Sequence, residues 1–197
     1  MKTRGGLIVI TGPMFSGKTT RLIKDLNKLK KTKRVVLFKS VIDNRYSSSD
    51  VVSHDGTKAP ASLLPKGEEG IAALKQAASD YDVIGIDEAH FWEDTKGFAQ
   101  ALNELAFQSK TVYVSMLSRS SDDGTALEIA KDILPLADNI YLLNSKCSVC
   151  SIRASFTKRT TPYKMVDGKP SYVGGAEDYE TRCRGCFSRQ SRKTKSP

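Results

Sequence analysis

Residues Gly12-Pro13-Met14-Phe15-Ser16-Gly17-Lys18-Thr19 spell G-x-x-x-x-G-K-[ST], and no other stretch restricts the fold of this chain so strongly. The apolar run Leu7-Ile8-Val9-Ile10 precedes them, and a stretch from Lys18 to Lys31 follows with Leu22, Ile23, Leu26 and Leu29 on one helical face. A strand, a glycine-rich turn and a helix are the context that makes this spacing a P-loop. Backbone N–H groups there turn inward around phosphate oxygens at a helix N-terminus, whose dipole favours anions. Lys18 then reaches the β- and γ-phosphates of ATP, and the Thr19 hydroxyl ligates Mg2+.

The remaining pattern extends that unit. Val35 to Phe38 reads as a second strand, and residues 44–60, rich in Ser, Asp and Gly, read as a mobile surface loop. A helix from about Glu68 to Ala78 leads into the strand Val83-Ile84-Gly85-Ile86-Asp87, which is apolar on both faces as a covered parallel sheet requires. A helix near 94–106, a strand at 111–116, a helix near 126–134 and a strand at 139–143 follow. This alternation predicts an α/β fold, a P-loop NTPase parallel sheet flanked by helices. After about residue 145 the pattern changes to short strand-like pieces, 154–159 and 163–166, with Asp167-Gly168 as a hairpin signal. The division expected is 1–144 for a nucleotide-binding domain, 145–187 for a small zinc-anchored domain, and 188–197 for a basic disordered tail.

Asp87 ends its strand in a carboxylate, which suits Mg2+ held through water beside Thr19 or, alternatively, an N-cap for the next helix. Glu88 lies where open α/β sheets place their ligands. It suits either a general base for an attacking hydroxyl or a water-positioning carboxylate of an ATPase. Asp87-Glu88-Ala89-His90 also spells a helicase tetrapeptide, but such motors need more than the single small sheet this chain can build.

Two Cys-x-x-Cys pairs, Cys147/Cys150 and Cys183/Cys186, can supply four thiolates to a closed structural Zn2+ site, with redox pairs or disulfides as the alternative. The N-terminus lacks a signal-peptide hydrophobic region, and no apolar run approaches the ~20 residues of a bilayer span, so a cytoplasmic location without a membrane partner is expected. The net charge of +9 is concentrated in 24–34 and 184–195, which a solvated helix face and a basic tail account for without a nucleic-acid partner.

Together these residues resemble the type II thymidine kinase family, the cytosolic, zinc-containing class, from Gly5 to about Phe187. The P-loop at 12–19 is similar to the family's, and Asp43-Asn44-Arg45-Tyr46-Ser47-Ser48-Ser49 resembles its phosphate-side Asp-Thr-Arg-Tyr-Ser-Ser segment. Ser53-His54-Asp55, Asp87-Glu88-Ala89-His90-Phe91 and Tyr172-Val173-Gly174-Gly175-Ala176-x-x-Tyr179 resemble its flexible loop, its catalytic segment and its lasso loop. The resemblance implies that Glu88 is the base and that Asp43 and Arg45 lie near the phosphates. It also implies that Met14, Phe91, Leu117, Thr157, Tyr172, Val173, Gly174, Gly175 and Tyr179 surround the nucleoside; for Met14 and Leu117 core packing is the alternative. The substrate implied is thymidine or a close deoxyuridine analogue, and the assembly a homodimer or homotetramer. The rival readings are a zinc-stapled, ATP-driven nucleic-acid-binding module and a degenerate kinase domain.

Two departures bear on substrate choice. After Leu117 the family continues Asp-Gly-Thr-Phe with an aromatic shortly after, whereas Ser118-Arg119-Ser120-Ser121-Asp122-Asp123 stands here, with Ser121 at the aromatic position. Lost ring contact there weakens affinity or admits a larger 5-substituent. His90 replaces the family's Gln, and a ring satisfied by a neighbouring hydrogen bond is expected.

Overall fold

The computed structural model describes residues 5–41, 50–52, 56–166 and 169–193. In chain order the sheet half runs β1 (Gly6–Thr11), α1 (Lys18–Leu29), β2 (Val35–Ser40), β3 (Asp50–Val52), β4 (Lys58–Pro60), β5 (Ser62–Leu64), α2 (Gly67–Ala78) and β6 (Val83–Asp87). It continues with α3 (Thr95–Phe107), β7 (Thr111–Met116), α4 (Glu128–Ile133) and β8 (Asn139–Leu142). A six-stranded sheet takes the order β5-β2-β6-β7-β1-β8, parallel at every pairing.

Both faces of this sheet are covered, which is why its central strands read as unbroken apolar runs. On one face Leu22, Ile23 and Leu26 of α1 pack with Ile10, Leu37 and Val83. On the other, Leu74 of α2, Phe98 and Leu102 of α3, and Ile129 and Ile133 of α4 cover Val9, Phe38, Ile84, Ile86 and Val114. β8 closes one edge, where Ile140, Tyr141 and Leu142 are exposed. No helix among the described residues is long and apolar enough to cross a membrane.

The smaller half contains β9 (Ser145–Lys146), β10 (Arg153–Ala154), β11 (Phe156–Arg159), β12 (Lys164–Val166), β13 (Lys169–Ser171), β14 (Tyr179–Arg182) and α5 (Arg184–Lys193). β9 pairs with β10, β11 with β14 and β12 with β13, all antiparallel.

Three expectations change. Within 44–60, read as a mobile loop, β3 and β4 pair as an antiparallel hairpin. β5, too short to carry a periodic signal, extends the main sheet beside β2. The segment from 188, read as a disordered tail, remains helical to Lys193; Arg189 Nε and Ser188 Oγ both donate to the Gly185 carbonyl, at 3.1 and 3.3 Å. Phe187, five ångströms from Phe156 between ring centroids (5.0 Å), anchors the start of that helix.

Candidate active site

The P-loop occupies the turn between β1 and α1. Gly17 caps α1 with φ 82°, the left-handed backbone that glycine adopts at least cost. Ser16 Oγ and the ammonium of Lys18 both donate to the Pro13 carbonyl, at 2.7 and 2.8 Å. Lys18 is thus buried over its own loop, within reach of whatever the loop encircles. Thr19 Oγ1 donates to the Asp87 carboxylate at 3.1 Å, which brings the start of α1 to the end of β6. Asp87 is buried, and the capping position of α3 belongs to Asp94, whose carboxylate accepts from Gly97 N at 3.0 Å.

Glu88 follows in left-handed conformation, φ 53° and ψ 43°. A non-glycine residue held there costs about 1–3 kcal/mol, a strain that the surrounding fold sustains. Its carboxylate lies 3.3 Å from His90 Nδ1, and that same nitrogen accepts from Leu117 N–H at 3.3 Å. His90 therefore joins the Glu88 segment to the end of β7. Phe91 stacks at a tilt on His90 at 4.4 Å, and Trp92 lies flat against Phe98 at 4.2 Å in the core.

A direct bond ties the smaller half to this cradle. Thr157 of β11 accepts from Met14 N–H at 2.8 Å, so the P-loop backbone is held by a side chain 143 positions away. Farther out, Arg159 donates to Tyr179 Oη at 2.6 Å, and Tyr179 Oη donates to the Tyr172 carbonyl at 2.7 Å. Thr161 Oγ1 donates to Asp178 at 2.6 Å. A Cβ on Gly174 would lie 2.5 Å from Asp178 Oδ2 and 2.9 Å from Tyr179, so this glycine also permits the lasso's close approach to itself. Asp43 and Arg45 lie outside the described residues, as do His54 and Asp55.

The Sγ atoms of Cys147, Cys150, Cys183 and Cys186 all lie within 4.8 Å of one another, and Cys150 is 3.6 Å from both Cys183 and Cys186. Bonds of about 2.3 Å to a tetrahedral zinc ion imply sulfur–sulfur edges of about 3.8 Å, so the donor set fits that ion. Burial raises the Cys147 thiol pKa, but backbone N–H groups of Cys183, Val149 and Cys150 outweigh it and bring it down to about 6. Cys186 is pushed up to about 12 by the Cys183 thiol, by burial and by the other two thiols. Thiols this close oppose one another's ionisation, a conflict that a divalent cation removes.

A sequence model of the family described as "Thymidine kinase" matches residues 5–187. The chain is 42% identical to a thymidine kinase of Thermococcus kodakarensis over 93% of this chain and 94% of that protein. It is 33% identical to one of Pyrobaculum aerophilum, over 90% and 96%, and 39% identical to one of Oryza sativa subsp. japonica, over 91% and 65%. The chain belongs to the thymidine kinase family.

Several groups at this thymidine kinase site carried no signal that sequence reading used. Ser115, near the end of β7, is fully buried, and its hydroxyl has no hydrogen-bond partner among the described residues. It follows Val114, the register partner of Ile86, and so continues the row that leads to Asp87. Lys39 is 2% exposed, stands opposite Asp87 across β2 and β6, and donates to the Asp50 carbonyl at 2.9 Å. A lysine ending an apolar strand was the available clue. Arg159 is also buried, and nothing in its local sequence announces that Tyr179, 20 positions on, receives it.

Proposed function

We propose that this chain transfers the γ-phosphoryl group of ATP to the 5′-hydroxyl of thymidine, giving thymidine monophosphate in nucleoside salvage. The observation that carries the reading is the extent of the family match, 5–187, which takes in the phosphate cradle, the carboxylate pair and the lasso together.

The backbone of Gly12 to Gly17 receives the phosphates. Lys18 exchanges the Pro13 carbonyl for phosphoryl oxygens, a charge-assisted bond in place of a neutral one. Thr19 and Asp87 would hold Mg2+. When bound, Mg2+ neutralises charge on the phosphate oxygens. Glu88 accepts the proton of the 5′-hydroxyl as that oxygen attacks, and the family resemblance adds Asp43 and Arg45 beside the phosphates.

Met14, Phe91, Leu117 and Thr157 form the walls around the base, and Tyr172, Val173, Gly174, Gly175 and Tyr179 close over it. Main-chain groups of the lasso pair with thymine N3–H and O4; cytosine reverses that pattern and leaves buried groups unpaired, at about 1–3 kcal/mol each. Cys147, Cys150, Cys183 and Cys186 would hold Zn2+ as a structural clasp at the base of the lasso domain, residues 145–187. The open apolar edge at Ile140 to Leu142 supports a homodimer or homotetramer, and the location we assign is cytoplasmic.

ATP consumption measured with each of the four deoxynucleosides and with single-stranded DNA tests the reaction. Thymidine-dependent turnover is the result anticipated. Hydrolysis that ignores nucleosides and responds to DNA would sink the kinase reading.

A further inference from the structure

The segment that departs from the family pattern, 118–123, lies in a tightly bonded turn that spans 118–127. Ser120 N donates to Thr125 O at 2.9 Å, Gly124 N to Ser120 O at 3.1 Å, and Leu127 N to Ser118 O at 3.1 Å. Asp123 adds bonds from Thr125 N and Oγ1 at 3.0 and 2.8 Å. The turn starts beside Leu117, which is bonded to His90, and it reaches across to the smaller half at three places. Arg119 donates to the Ser155 carbonyl at 3.1 Å, with its guanidinium 5.0 Å from the Phe156 ring centroid. Lys158 Nζ donates to the Asp122 carbonyl at 2.9 Å. Tyr163 Oη donates to the Asp122 carboxylate.

Tyr163 passes this constraint onward. Its ring meets Tyr172 edge-on at 5.0 Å, and the Arg159 guanidinium lies 4.3 Å over its face. Tyr172 opens the lasso segment 172–175, and its carbonyl is held by Tyr179 Oη. Burial first, and the bond to Asp122 second, raise the Tyr163 phenol pKa, so it remains a protonated donor throughout the neutral range. A continuous chain of contacts therefore runs from the end of β7 through Asp122 and Tyr163 to the lasso.

We propose that Asp122 and Tyr163 form a latch that positions the lasso over the nucleoside, making them positioning residues for nucleoside affinity. The polar turn at Ser121 then replaces the missing aromatic contact indirectly, by recruiting a tyrosine from the lasso's own side. The proposal rests on the reading that the nucleoside lies under residues 172–175. Phosphoryl transfer itself requires neither group.

The test compares Tyr163→Phe, Asp122→Ala and the double variant with the parent. Each single variant is expected to raise the KM for thymidine about three- to tenfold, the scale of one charge-assisted but solvent-accessible hydrogen bond. kcat should stay within about twofold, and the KM for ATP should hold. The double variant should be no worse than the more impaired single one, because either change breaks the same bond. Amide exchange across 172–179, followed without nucleoside, should quicken in all three. Unchanged exchange and unchanged thymidine KM overturn the latch, as do additive effects or a parallel rise in both KM values with a lowered melting temperature. A parent that does not phosphorylate thymidine defeats the functional reading instead, and the exchange comparison still judges the latch.

Discussion

The sheet half closes an apolar cluster on each face, whereas the half beyond residue 145 has, among the described residues, one small cluster made of Cys147, Ala154, Cys183 and Cys186. Each large apolar side chain buried in the first contributes about 1.5–3 kcal/mol. The second buries fewer such side chains, Phe156, Tyr179 and Phe187 among them, and adds single polar bonds, such as Thr181 Oγ1 to the Lys146 carbonyl at 2.5 Å and Arg159 to Tyr179, worth about 0.5–1.5 kcal/mol each. With so small a core, the zinc site we propose at the thiol cluster would supply much of what orders this segment. The contrast is one of support: the phosphate cradle stands on a broad apolar core, and the proposed lasso on a small cluster of thiols.

The sharpest way to break that contrast is to remove the clasp. Cys183→Ser, or treatment of the purified protein with a strong chelator, should abolish thymidine turnover. Helical circular dichroism and the melting shift produced by a non-hydrolysable ATP analogue should persist. Collapse of both halves together would show that they are one cooperative unit. Glu88→Gln comes next, with a fall in kcat of about 10²–10⁴-fold and retained nucleotide affinity; near-normal turnover would remove Glu88 from the base role. Leu102→Ala, at a fully buried position in the sheet half, should cost about 2–5 kcal/mol in denaturant unfolding and leave both KM values in place. The smallest effect is expected from Gly174→Ala, a several-fold rise in thymidine KM with melting temperature nearly constant. An equal rise in ATP KM would contradict an origin confined to the lasso.

The same contrast governs what was legible in the sequence. β6 and β7 could be read residue for residue because strands covered on both faces must be continuously apolar. The cradle, the carboxylate pair and the cysteines likewise announce themselves, since their chemistry fixes residue type and spacing. β5 did not, because Ser62-Leu63-Leu64 is too short to show a period. The helix through 188–193 was hidden by a composition that reads as solvated tail, although Phe187 anchors its start. The lasso network was hidden for a different reason. Arg159 bonds to Tyr179 and Tyr163 to Asp122 across distant positions, with the Arg159 guanidinium over the Tyr163 ring joining the two pairs, and no repeat in the chain encodes such partners.

The bond from Met14 N–H to Thr157 Oγ1 joins the two halves directly. Met14 belongs to the loop that encircles phosphate, and Thr157 to the strand that carries the lasso. On the proposed function, a shift of the loop on filling would alter the energy of that bond, and a shift of the strand would act on the same pair of atoms. Linkage makes such an effect mutual: by whatever factor bound nucleotide alters nucleoside affinity, bound nucleoside alters nucleotide affinity by the same factor. On the proposed function, that one hydroxyl is a direct bond through which the binding of one substrate would be felt by the other.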